Sequence, residues 1–109
     1  MEKDTTYNGW TNYATWKVNL EIFEEIDLIY DYCEQHYQQC GQLPTVHHIR
    51  EYLEQFIEEI LDSEINTDFL YSCAHSFLMQ VNYYEIAKTH YEDIIEREEI
   101  KELIQTESA

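Results

Sequence analysis

The chain has 109 residues, 44 % hydrophobic and 15 % aromatic, which suits one domain with a real core and excludes a disordered acidic tail. Asp and Glu number 23 against 6 Lys and Arg, a net charge of −17 that repels nucleic acid and acidic lipid and so argues against direct binding to either. The 3 cysteines, Cys33, Cys40 and Cys73, form no short pair, which fits reduced thiols in a cytosol better than a disulfide framework. No apolar run approaches a membrane span and the N-terminus lacks a signal pattern, so a soluble protein without membrane contact is expected.

Only Gly9, Gly41 and Pro44 punctuate the sequence strongly, so long helices with short connections are expected. Residues 1–11 read as an extended arm ending in a turn at Asn8-Gly9, where both residues tolerate positive φ. A first helix follows from about Asn12 to Phe23 or beyond, capped by Thr11 or Asn12, with Trp16, Leu20 and Phe23 on one face and Tyr13 a turn earlier. Nothing at Glu24–Ile26 forbids helix, so the next boundary is read as a kink or a loop. The second helix covers about Asp27–Gln39, with Leu28, Tyr32 and His36 inward and Ile29, Cys33 and Cys40 beside them. Gly41 suits the position after its C-terminus and Pro44 the stop.

The third helix is the clearest, from Thr45 to Asp62, on the stripe Val46, Ile49, Leu53, Phe56, Ile57, Ile60 and Leu61. A fourth is expected over about Thr67–Val81, with Phe69, Leu70, Cys73, Ala74, Phe77, Leu78 and Val81 apolar. Asn82 with Glu85 three residues on forms a capping pair for a fifth, running to about Ile104. The expected fold is a small all-α bundle of roughly four or five helices with a short N-terminal arm, one domain over 1–109, frayed at 105–109.

The phrase Tyr7-Asn8-Gly9-Trp10-Thr11-Asn12-Tyr13-Ala14-Thr15-Trp16 holds both tryptophans of the chain. It reads as a clasp: Asn8-Gly9 turn, Trp10 stapling back on the first helical turn, Thr11 or Asn12 at the cap and Trp16 anchoring the helix to the core. The phrase resembles the N-terminal signature of a family of small, mostly uncharacterised proteins of phages and plasmids. The resemblance covers residues 7–23 and implies a mobile element in a bacterial cytoplasm, with no catalytic residues to carry over.

The acids are ordered. Glu51, Glu54, Glu58 and Asp62 share one face of the third helix; Asp27, Asp31 and Glu34 do so on the second; Glu85, Glu92, Glu96 and Glu99 do so on the fifth, with Asp93 beside them. Such rows of carboxylates can imitate part of the phosphate field of a duplex, or they can serve only solubility. His36, between Cys33 and Cys40, offers a zinc set in principle, but a core cysteine face with one partly buried histidine is the better account of those residues. No metal site, cofactor or catalytic constellation is therefore expected. The expectation is a non-enzymatic inhibitor whose acidic rows engage a basic, nucleic-acid-binding defence protein of the host, of restriction or CRISPR type. The alternative is a helical interaction module or regulator of a mobile element. Homodimerisation is compatible with either.

Overall fold

The computed structural model describes residues 6–24 and 27–108, the side chains of 106–108 aside. The chain is all-α, with six α-helices among the described residues: α1 Tyr13–Val18, α2 Leu28–Cys40, α3 Val46–Glu64, α4 Asp68–Leu78, α5 Tyr83–Ile94 and α6 Glu98–Ser108. That exceeds the expected four or five because the long fifth helix divides. After Ile94 the backbone tightens, Glu96 N–H donating to Asp93 O (3.2 Å) and Arg97 N–H to Ile94 O (3.0 Å). No glycine or proline marks this break. The turn redirects α6 so that Ile100 becomes fully buried, and burial of an isoleucine stabilises by about 1.5–3 kcal/mol, enough to outweigh one lost helical turn. The helix reaches Ser108, where fraying from 105 was expected, and Ala109 lies outside the described residues. The expected kink at Glu24–Ile26 falls largely on residues outside them too, as does the arm before Thr6.

The central pair is α3 and α5, closed by fully buried Ile49, Leu53 and Ile86. The third helix follows its predicted stripe, with Ile49, Leu53, Ile57 and Leu61 innermost. Its start is fixed by Thr45, whose Oγ1 accepts from His48 N–H (3.1 Å) while His48 Nδ1 accepts from Thr45 N–H (3.4 Å). In α2 the buried line is Ile29, Cys33 and Tyr37, so Ile29 and Cys33 of the expected candidates turn inward while Leu28, Tyr32 and His36 lie half-buried. Tyr32 instead stacks on Tyr52 of α3 with centroids 4.3 Å apart, and Cys40 is exposed at the helix end beside left-handed Gly41 (φ 78°).

The first helix differs most from expectation. Its buried residues are Ala14, Thr15 and Val18, while Tyr13 and Leu20 are exposed and Trp16 is half-buried. Small residues face inward because α1 meets α5 through hydrogen bonds that need close approach. Thr15 Oγ1 donates to Asn12 Oδ1 (2.7 Å) and accepts from Asn82 N–H (2.8 Å), while Asn12 Oδ1 also accepts from Thr15 N–H (2.9 Å). Asn12 Nδ2 donates to Gln80 O (2.8 Å), and Thr11 N–H donates to Glu85 Oε1 (3.0 Å). From Asn19 to Phe23 the helix widens into a π-turn, Glu24 N–H donating to Asn19 O (2.8 Å). The extra residue in that turn changes the helical phase and carries Phe23 into the core.

Thr15 is fully buried and serves two partners. The volume-matched change Thr15→Val leaves the Asn82 N–H unpaired and should cost about 1–3 kcal/mol, read from the urea midpoint. Asn12→Ala should cost about 1–2 kcal/mol by the same measurement, through loss of the cap.

Candidate functional site

The clasp is built as a turn and a lock. Asn8 (φ 46°) and Gly9 (φ 85°) both take positive φ, the signature of the tight two-residue turn that lets Tyr7 and Trp10 exchange hydrogen bonds of 2.9 and 2.8 Å. The two tryptophans exchange their expected parts. Trp10 packs against the core and lines a cleft, while Trp16 lies half-buried against Tyr7 (4.9 Å) and Tyr13 (5.7 Å) outside it. Asn8, Gly9, Trp10, Asn12 and Trp16 thus stand in one turn, cap and aromatic assembly, with Thr15 bonded to Asn12.

The acidic row of α3 is intact. Glu51, Glu58 and Asp62 are exposed and Glu54 half-buried along one side of the helix. Its two ends differ. Glu51 pairs with His47 (3.0 Å) and Glu54 with Arg50 (3.8 Å), both one helical turn back, whereas no Lys, Arg or His among the described residues pairs with Glu58 or Asp62. Asp62 accepts a long hydrogen bond from Tyr71 Oη (3.4 Å). Exposed pairs at this spacing contribute only a few tenths of a kcal/mol to stability, and the unpaired half, Glu58 and Asp62, carries the uncompensated charge.

The row expected on the fifth helix is divided by the turn at 95–97. Glu85 is taken up by Thr11, and Glu92 stays exposed on α5. Glu96 sits in the turn, 3.7 Å from Lys101, while Glu99 passes to α6. There Glu99 joins Glu34 of α2 beside Tyr30, whose hydroxyl is pushed above its ordinary value by burial first and then by both carboxylates. Asp27 and Asp93 converge on Arg97 (3.3 and 3.5 Å), and the guanidinium lies 5.0 Å over the Tyr30 ring. Asp31 remains exposed. The α3 row and the α2 row each stay along one helix, the row expected on the fifth helix is divided, and Asp27 at the start of α2 meets Asp93 at Arg97.

Between the π-turn and α5 lies a cleft that the sequence did not announce, lined by Trp10, Asn19, Phe23, His90, Asp93 and Arg97 among others. Asn19 is buried and its Oδ1 lies 2.7 Å from His90 Nε2. Burial lowers the His90 imidazole, with Arg97 adding to the effect and Asp93 and Glu24 opposing it. The zinc set is not brought together: Cys33 is buried with its thiol pushed up to about 11 by desolvation, Cys40 is exposed, and the His36 ring nitrogen lies against Gln42 O (2.7 Å). No group of three or more His, Cys, Asp or Glu among the described residues could hold a metal ion. No helix among them is long and apolar enough to cross a membrane.

The apolar side of α4 is the other feature that periodicity misread. None of its residues is buried, and Phe69 and Leu70 are 76 % and 56 % exposed. Of the stripe expected to face a core, Val81 is buried and Phe77 and Leu78 pack half-buried against that core, while Phe69, Leu70 and Cys73 face outward.

What this geometry defines is an all-α protein with an acidic outer face and an apolar one. Over residues 3–108 the chain matches a family of unknown function, DUF7249, and it belongs to that family. Neither a curated protein nor a solved structure matches it.

Two titrations report on these surroundings. His90 is held neutral in the fold, so its contribution to stability is present above the ordinary value of 6.5 and is lost as pH falls and the unfolded chain protonates first. His90→Gln should remove that acid-side loss, seen as a flatter urea midpoint against pH than wild type. Tyr83 is raised to about 12 by desolvation first, then by Glu54 and Glu58. Its contribution is present below 10 and is lost as pH rises toward 12. Glu58→Gln should bring the Tyr83 step to lower pH in an ultraviolet tyrosinate titration.

Proposed function

We propose that this protein is a non-enzymatic inhibitor, encoded by a phage or plasmid, that acts in the bacterial cytoplasm. It occupies the basic groove of a nucleic-acid-binding defence protein, of restriction or CRISPR type, by presenting duplex-like negative charge. The observation that carries this reading is the α3 row, Glu51, Glu54, Glu58 and Asp62, whose distal half has no paired cation among the described residues. Eleven residues of helix span about 16 Å, so the row offers one carboxylate per roughly 5 Å, against one phosphate per about 3.4 Å along a DNA strand. Few cations screen it: Arg50 pairs with Glu54 in the row, while Lys17, Arg97 and Lys101 are engaged with carboxylates elsewhere. Asp27, Asp31, Glu34, Glu92, Glu96 and Glu99 extend the negative field, which steers a basic partner and repels free nucleic acid.

A second reading is a helical interaction module or regulator of a mobile element, with the acidity serving only solubility. The exposed apolar side of α4 favours it.

The test is capture of bacterial proteins on the immobilised chain, followed by elution with duplex DNA. The expected partner is a nucleic-acid-binding protein released by DNA. Its affinity should fall about tenfold or more between about 50 and about 200 mM salt. The double change Glu58→Lys with Asp62→Lys should weaken it more than charge reversal of Asp31 and Glu34. A partner that stays bound through DNA and high salt assigns the protein to the second reading.

A further inference from the structure

From Ile65 to Tyr84 the sequence holds one acid, Asp68, in a chain of net charge −17. Helix α4 occupies the middle of this neutral stretch and buries none of its residues. Its outer side is apolar, with Phe69 76 % and Leu70 56 % exposed, and Met79 beyond the helix end is 74 % exposed. The radius of gyration is 16.1 Å, where a compact domain of this length has about 13 Å. An outlying apolar helix of this kind leaves surface that a monomer ordinarily covers.

The spacing about Cys73 is symmetric in sequence, although Phe69 is exposed while Phe77 lies half-buried against Tyr13 and the core and lines a groove. Phe69 and Phe77 stand four residues either side of Cys73, and the exposed amides of Asn66 and Gln80 stand seven either side of it. A small residue thus sits between two large ones, with polar ends. Beside it runs a groove lined by Ile65, Leu70, Cys73 and Phe77, with Glu64 as its one charged lining residue. Two such helices laid antiparallel about Cys73 place each Phe69 against the other copy's Phe77, and each Leu70 toward the other's groove. An exposed Phe69 beside a groove lined by Phe77 thus meets the same pair on the other copy, the reciprocity that a twofold contact requires. Charge selects the same occupant. Two chains of this net charge can approach closely only where carboxylates are absent, and a basic partner would gain more on the α3 row than on this neutral face.

We infer that α4 is the contact through which two copies of this chain associate, antiparallel, about a twofold axis near Cys73. This is independent of the inhibitor reading, because it uses a different face and has the opposite salt dependence. A contact built mainly on an 11-residue helix falls short of the ~800 Å² per partner of a standard interface, so the dissociation constant is expected in the micromolar range. Salt screens the repulsion between the surrounding acids and should tighten the dimer, whereas it weakens any contact made by the acidic rows.

Sedimentation velocity on the full chain, from about 1 to about 100 μM in low and high salt, tests this. The expected result is a monomer that becomes a dimer with rising concentration, and at lower concentration in high salt. Phe69→Glu should remain monomeric throughout with an unchanged circular dichroism spectrum and melting temperature, since Phe69 is largely exposed. In a Cys40→Ser background, copper phenanthroline should oxidise two Cys73 thiols to one intermolecular disulfide, with two electrons passing to the oxidant, and Phe69→Glu should suppress the link. A chain that stays monomeric in all conditions, or a dimer that survives Phe69→Glu, overturns the inference.

Discussion

Two capping asparagines meet at one buried threonine, and the arrangement of the bundle depends on that meeting. Asn12 begins α1 and Asn82 begins α5; Thr15 Oγ1 binds the side chain of the first and the backbone N–H of the second. Helix starts leave backbone donors without intrahelical partners, and a buried donor without a partner is costly. Here each asparagine caps its own helix, Asn12 Oδ1 accepting from Thr15 N–H and Asn82 Oδ1 from Glu85 N–H, and the Asn82 N–H is satisfied across the two by Thr15 Oγ1. The reach of a threonine hydroxyl then dictates how close α1 lies to α5, and with it that small residues, Ala14 and Thr15, face inward. The bulky aromatics of the same segment are left to cover the outside, where Tyr7, Tyr13 and Trp16 pack on one another.

The same closeness has a consequence one turn later. A regular helix cannot hold Thr15 against Asn82 and also deliver Phe23 to the core beside Phe56, 6.1 Å away. The π-turn at Asn19–Phe23 reconciles the two demands and exposes the Asn19 amide to His90. The cleft between them is therefore a by-product of the joint, and its polar groups satisfy one another: Asn19 with His90, Arg97 with Asp27 and Asp93.

Charge is the second constraint. Carboxylates so numerous hold Lys17, Arg50, Arg97 and Lys101 in local pairs, and tyrosine hydroxyls line the boundary between core and acids. Tyr30, Tyr52, Tyr71 and Tyr83 all have raised hydroxyls, in each case by burial first and carboxylates next. A tyrosine at such a boundary buries its ring and keeps a neutral donor near the acids, where a phenylalanine would offer none. This accounts for much of the unusual tyrosine content, and it leaves α4 as the neutral exception on an otherwise acidic surface.

The all-α class, the third helix with its Ile49–Leu53–Ile57–Leu61 stripe, the cap at Asn12, the turn at Asn8-Gly9 and the row Glu51–Asp62 were determined by the sequence itself. Each follows from local physics: helical periodicity, side-chain caps, residues that tolerate positive φ, and carboxylates repeating at helical spacing. The inward face of α1, the π-turn, the break at 95–97, the half-exposed Trp16 and the outward apolar side of α4 were decided only by tertiary structure. Periodicity tells that a helix has an apolar side, but not whether another element arrives to cover it, as α4 illustrates. Nor does it tell that a threonine hydroxyl will outrank tryptophan and leucine for the inward position. That outcome depends on where Asn82 comes to rest, 67 residues along the chain from Thr15, and only the folded arrangement brings them together.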